Sequence, residues 1–309
     1  MSVTGERVRL RERLGRRAGP LAAVALVVTW SSGFVGAELA HRAGAAPLTV
    51  LGWRFALLAV LLLTVAAVLR KPLPTSWRAW GRQTLLAVLS QVGYLFLVFE
   101  GVTQGVHGGT TSLIAALQPL LVATVAGRLL GERSTPLMWL GMLLGLGGVA
   151  LAVSGDLQQT GTPLWAYALP TAGMLCLAIG TVLTRRLDPP EDLFPTITMQ
   201  AVITGVILFV AAAFAGQVAP PAGGLFWVAV GWLLALASLG GYVMYVFVNR
   251  TQGATVVSTL LYLTPPTTML WVFLMFGEPI SVLGLVGLAV SAVGVVLVLR
   301  SRPAVRGSS

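Results

Sequence analysis

The sequence predicts an all-α integral membrane protein, with ten transmembrane helices arranged as two inverted five-helix repeats. Three observations carry that prediction. Only 10% of the residues are charged and 56% are hydrophobic, whereas a soluble domain carries about 25% charged residues. Lipid must therefore solvate most of this surface. The stretch from His107 to Val153 returns without a gap from Gly253 to Leu299. Ser112 falls on Ser258, Leu117 on Leu263, Pro119 on Pro265, Gly131 on Gly277, Glu132 on Glu278, Gly141 on Gly287 and Gly148 on Gly294. A self-match at fixed offset marks a duplicated structural unit. The third observation is charge placement. With ten crossings, eighteen of the twenty lysines and arginines fall on the side of the two termini. Arg42 lies opposite and Arg54 lies within a span. This positive-inside pattern puts both termini in the cytoplasm and the chain in the cell (inner or plasma) membrane.

Taken in order, residues 1–19 form a basic cytoplasmic tail with six arginines, expected to be disordered or to lie on anionic headgroups. Ten apolar runs follow, at 20–40, 47–69, 83–102, 107–130, 136–155, 164–184, 194–216, 225–248, 254–276 and 280–299. Each has about the twenty residues that a hydrocarbon core of about 30 Å requires. In lipid they must be helices, because an isolated strand leaves its backbone groups unpaired. Trp77, Arg78, Trp80 and Arg82 read as an interfacial segment before the third run. The link 155–162 divides repeat 1 (20–155, spans 1–5) from repeat 2 (164–299, spans 6–10). Residues 300–309 are a second cytoplasmic tail. Five spans per repeat is an odd number, so the second repeat enters the membrane upside down. Inverted repeats are the architecture of many secondary transporters, with the substrate site near mid-membrane where the halves meet.

Several strings resemble one family. They are WSSGF at Trp30–Phe34, WRFALLA at Trp53–Ala59, LIAALQPLLVA at Leu113–Ala123 with LLGER at Leu129–Arg133, and the second-half echoes LTPPTTML and FGEP. Together with the repeat they resemble the drug/metabolite transporter superfamily, in its EamA-domain branch of ten-span permeases. The resemblance covers about 20–299. It implies a permease, with efflux of amino acids, metabolites or drug-like solutes as the expected activity. Family members often carry a basic residue where Glu38 stands, and the sixth span lacks the tryptophan common in the echo of the first.

Candidate functional residues follow from their chemistry at membrane depth. Pro119 and Pro265 each lack an N–H and open the preceding turn of an apolar helix, so both are placed at the central cavity. Arg54 lies seven residues into its span, about 10 Å deep. A charge there needs a partner or water. Glu38 and Glu100 lie at similar depth, so Arg54 is expected to pair with one of them, as an outer gate, a proton-coupling group or an anion site. Trp30, Ser32, Phe34, Tyr94, Gln118, Tyr242, Tyr245 and Tyr262 are candidates for a cavity lining of apolar walls with a few polar groups. Glu132 and Glu278 are expected to brace links.

Other classes are poorly supplied. The two histidines, His41 and His107, lie near the outer surface, and HExxH and GxSxG are absent. An intramembrane enzyme therefore lacks its chemistry, and no metal or cofactor is expected. A sensor or scaffold would lack a soluble output domain. The basic balance flanks apolar spans with no aromatic-interleaved stripe, so no nucleic-acid partner is expected. The expected partners are the lipid bilayer, a small-molecule substrate and, for Glu38 or Glu100, a coupled proton.

Overall fold

The computed structural model describes residues 3–122, 135–252 and 254–301. Glu132, Arg128 and Arg133 lie outside the described residues. Every regular element among those described is helical. Among the described residues seven helices are long and apolar enough to cross a membrane. They are α1 (Val3–Arg42, apolar from Pro20), α2 (Pro47–Val68), α3 (Trp77–Thr103), α6 (Pro136–Thr160), α7 (Leu164–Leu187), α8 (Leu193–Phe214) and α9 (Gly224–Val248). Between α3 and α6 stand α4 (Gly108–Ala115) and α5 (Gln118–Leu121). After α9 come α10 (Ala254–Leu261), α11 (Thr264–Phe276) and α12 (Val282–Ser301).

Helix α1 starts at Val3, in a segment rich in arginine, glutamate and leucine, all strong helix formers. Two expectations are corrected here. The interfacial tryptophans are the first turns of α3, where Trp80 Nε1 donates to the Pro74 carbonyl at 2.8 Å. The link between halves is shorter than 155–162, because α6 runs on to Thr160. Gly161 ends it at φ +66°, in the left-handed cap conformation that suits glycine.

Pro119 and Pro265 break their helices instead of bending them. Each sits in the first turn of a new helix, where a missing N–H costs nothing. The breaks match in detail. The Leu117 N–H turns back to the Ile114 carbonyl at 3.1 Å, and the Leu263 N–H to the Leu260 carbonyl at 2.9 Å. These two bonds occupy the same place in each repeat.

The helices pack across the two halves. Helix α1 lies against α9, α3 against α7, α2 against α8, α4 against α11, and α6 against α12. The first two pairings are equivalents under exchange of halves. Gly36 meets Leu233 and Gly33 meets Ala237; likewise Gly180 meets Ser90 and Gly93 meets Cys176. Both α3 and α9 carry a π-helical stretch, Val88–Gly93 and Leu233–Gly240, again at matching places. The closest approach is α6 on α12. A Cβ on Gly294 would stand 2.8 Å from the Gly145 nitrogen, and one on Gly287 2.9 Å from the Ala152 nitrogen. Gly148 meets Gly287 and Gly141 meets Gly294, so these two helices run antiparallel. Small residues permit such close packing in lipid, where dispersion holds helices together.

Candidate functional site

The antiparallel pairs α1–α9 and α3–α7, with α2–α8, enclose a cavity of about 860 Å³. Its size falls in the range of small-molecule sites. One end is buried, lined by Phe34, Arg54, Val98 and Phe99; at the other end Asp192, Leu193 and Phe247 are exposed, beside Leu62. The first set lies toward the Arg42 end of α1, the Pro47 end of α2 and the Thr103 end of α3. The second lies at the Val68 end of α2, the first turn of α8 and the Val248 end of α9. Trp30 and Val243, on α1 and α9 between these two ends, are exposed as well.

Both π-helical stretches face it, through Ser90 and Gln91 on one side and Ala237, Ser238 and Leu239 on the other. A π turn frequently marks a functional position within a helix. Arg54, 6% exposed, projects into this space. Its Nε donates to Ser238 Oγ at 3.0 Å, and its guanidinium carbon lies 5.0 Å from the Phe55 ring centroid. Gln91 Nε2 donates to Gln200 Oε1 at 2.8 Å, and Gln200 Nε2 to Gln83 Oε1 at 2.9 Å. Gln83 in turn donates to Glu191, the partner of Arg82. A polar ladder thus runs from the cavity wall toward the exposed end at Asp192.

Of the residues predicted from sequence, Trp30, Phe34, Arg54, Tyr94 and Tyr242 line this cavity. The others lie elsewhere. Ser32 is fully buried and bonds to the Thr29 carbonyl, while its own carbonyl accepts from Trp232 Nε1. Gln118 donates to Thr181 on α7 at 2.9 Å. Pro119, Pro265 and Tyr262 are outside the lining: the broken helices pack behind it, against α1 and α7. Tyr245 stacks on Trp30, ring centroids 5.7 Å apart. The expected pairing of Arg54 with Glu38 or Glu100 does not occur. Among the described residues no carboxylate lies within ion-pair distance of Arg54; Glu38 binds Arg42 at 2.7 Å and Glu100 accepts from Gln104 at 2.8 Å. Ser90, Gln91 and Ser238 also line the cavity and were not among the residues predicted from sequence. Their signal was a polar side chain in the middle of an apolar span.

Beyond the buried end of the cavity lies a cluster of charged and polar groups. Arg42 on α1 bridges Glu38 and Glu278, the latter at 3.5 Å in the link after α11. His107, capping α4, lies 2.5 Å from Asp156 on α6, and Tyr167 Oη donates to Asp156 Oδ2 at 3.0 Å. Arg42–Glu278 and Asp156–Tyr167 each join one half of the chain to the other. Burial, reinforced by the neighbouring Glu38 carboxylate, pushes the Glu278 carboxyl up to about 7, against the pull of His107 and Arg42. Burial acts to lower the His107 imidazole, but the hydrogen bond and charge of Asp156, with Glu278 and Glu38 behind it, hold it above its ordinary value. Glu278, expected as a brace for its link, is thus also a member of this cluster.

A model of the EamA-like transporter family matches residues 17–154 and again 164–300. The chain is 27% identical to the uncharacterized inner membrane transporter YedA of Escherichia coli K12, over 89% of this chain and 88% of that one. It is 29% identical to an uncharacterized transporter of Synechocystis, over 77% of each chain. A solved protein crystal structure superposes with a TM-score of 0.64 at 17% identity, covering 92% of this chain and 96% of the other, so the fold is shared.

Proposed function

The chain belongs to the EamA-like transporter family, and from that premise we propose that it is a secondary transporter exporting a small solute by alternating access. In this reading it crosses the membrane ten times, as two inverted halves, with both termini in the cytoplasm. The observation that carries the reading is the cavity between helices of both halves, with the Arg42–Glu278 ion pair and the Tyr167–Asp156 hydrogen bond joining those halves beyond its buried end. The matched contacts of α1 on α9 and α3 on α7 support it further, since two halves of similar structure exchange inward and outward shapes at small energy difference. The matched breaks at Leu117 and Leu263 supply one flexible point per half. The arginine distribution supports placing the Asp192–Phe247 end of the cavity toward the cytoplasm.

Purified protein in liposomes tests this. A panel of labelled metabolites and amino acids is expected to include solutes that accumulate by counterflow against unlabelled solute, and impermeant reagents are expected to reach both termini from the same side. Turnover of a solute in detergent, with no second compartment, would instead indicate an enzyme.

Acid should hold the outer face shut. A carboxyl that titrates near 7 when enclosed, against its ordinary 4.5, binds its proton more tightly in the closed form. The raised His107 imidazole acts in the same direction. Both contributions are fully present below the groups' ordinary values and fade as pH rises through the raised ones. Raising external pH from about 6 to about 8 is therefore expected to open this face. The readout is the maleimide labelling rate of a cysteine introduced at Phe34, with Cys176 replaced by serine. Glu278→Gln should flatten the profile. A wild-type rate that stayed level over this range would remove the cluster from gating.

A further inference from the structure

Resting on the transport reading above, the geometry points to an organic anion as the solute: one carboxylate, or a comparable small anionic group, on an apolar body, with the anion seated on Arg54. The guanidinium lies inside a span and is 6% exposed, where a charge is unfavourable unless it is paired or wet. Its contacts are the Ser238 hydroxyl and the Phe55 ring, with the Tyr94 phenol close by; none of these is a carboxylate. Ser238 uses one of five N–H donors. Among the described residues no carboxylate answers the others, because Glu38 is held by Arg42 and Glu100 by Gln104. Asp192 lines the same cavity at its mouth. Gly205 packs on the Phe55 backbone, so Asp192 lies about 20 Å from the level of Arg54 along α8 at 1.5 Å per residue.

A planar guanidinium fork matches a carboxylate in two parallel hydrogen bonds. Around it the wall is mostly apolar, with Phe34, Leu58, Val98 and Phe99 at the buried end and Trp30 farther out. Gln91, Ser90 and Tyr94 are the nearby polar groups. That combination suits an amphipathic monoanion and disfavours a cation. The duplication sharpens the point. The counterpart of Arg54 in the second half is Gln200, an amide engaged with Gln83 and Gln91. The positive charge is therefore confined to one half of the cavity and is not a by-product of the repeat.

Three probes sharing one body separate the possibilities: N-acetylphenylalanine (anion), N-acetylphenylalanine amide (neutral) and phenylalanine amide (cation). Each is loaded into liposomes holding the full-length protein, and efflux is compared with protein-free vesicles. The anion is expected to leave at least about tenfold faster than the other two. Arg54→Gln should lower anion efflux by about 10- to 100-fold, the scale of a hydrogen bond to a charged group. Arg54→Lys, which keeps the charge but not the fork, should recover part of it. The wild-type ratio needs no variant and decides even where Arg54→Gln fails to fold. Efflux of the neutral or cationic probe as fast as the anion overturns the anion assignment and leaves transport standing. So does anion efflux within twofold of wild type in a folded Arg54→Gln. Efflux of none of the three also overturns the anion assignment, and absence of counterflow across the metabolite panel besides overturns transport itself.

Discussion

Gly287→Ala is expected to destabilise the folded protein by about 3 kcal/mol, the upper end of the usual range for overpacking. The added methyl group would meet backbone on α6, 2.9 Å from the Ala152 nitrogen and nearer still to the Gly148 carbonyl oxygen. No side chain stands there to rotate away, so two helices must separate. Gly147→Ala is the matched control. It lies on the same stretch of α6, with no atom within 4 Å of the added Cβ. There alanine should stabilise the helix by up to about 1 kcal/mol through propensity alone. Unfolding in mixed micelles as sodium dodecyl sulfate is raised reports both. Opposite signs are expected; equal shifts would show that the α6–α12 contact is looser than described.

Asp156→Ala is expected to loosen the packing beyond the buried end of the cavity, the face that the proposed cycle closes. The carboxylate is 3% exposed and holds His107 and Tyr167 at once. Removing one member of a buried ion pair costs about 3–5 kcal/mol. If most of that falls on the closed form, the balance between closed and open shifts about 100-fold or more, at 1.4 kcal/mol per tenfold. A cysteine at Phe34, with Cys176 replaced by serine, should then react with an impermeant maleimide from that side far faster. Asp192→Ala, at the opposite mouth, should leave that rate alone. A protein that keeps its folded yield and its slow labelling after Asp156→Ala would assign the cluster to bracing instead.

The helical, membrane-embedded character and the duplication were legible because their signals are local or periodic. An apolar run of twenty residues needs no partner to be recognised, whereas the prolines foretold a disturbed helix at Pro119 and Pro265 and not the complete break found there. The cavity lining was legible only in part. Helices such as α2 and α8 are apolar all round, so no stripe separates the side facing lipid from the side facing the interior. Depth was readable and direction was not. Arg54, Glu38 and Glu100 share a depth, yet Glu38 turns to Arg42 and Glu100 to Gln104. Ser90, Gln91 and Ser238 were harder still. They sit on π-helical stretches, where the inserted residue shifts the register that a 3.6-residue period assumes.

The seam between α6 and α12 has one more implication. Exchanging the two copies turns the contact of Gly141 with Gly294 into that of Gly287 with Gly148, so this surface is its own complement. Self-complementary surfaces are what hold paired subunits together in symmetric dimers. Here the pairing happens within one polypeptide, joined through Gly161, Thr162 and Pro163. The tether fixes the ratio of the partners at one to one and spares them any search for each other, a task that unlinked half-length subunits would leave to concentration.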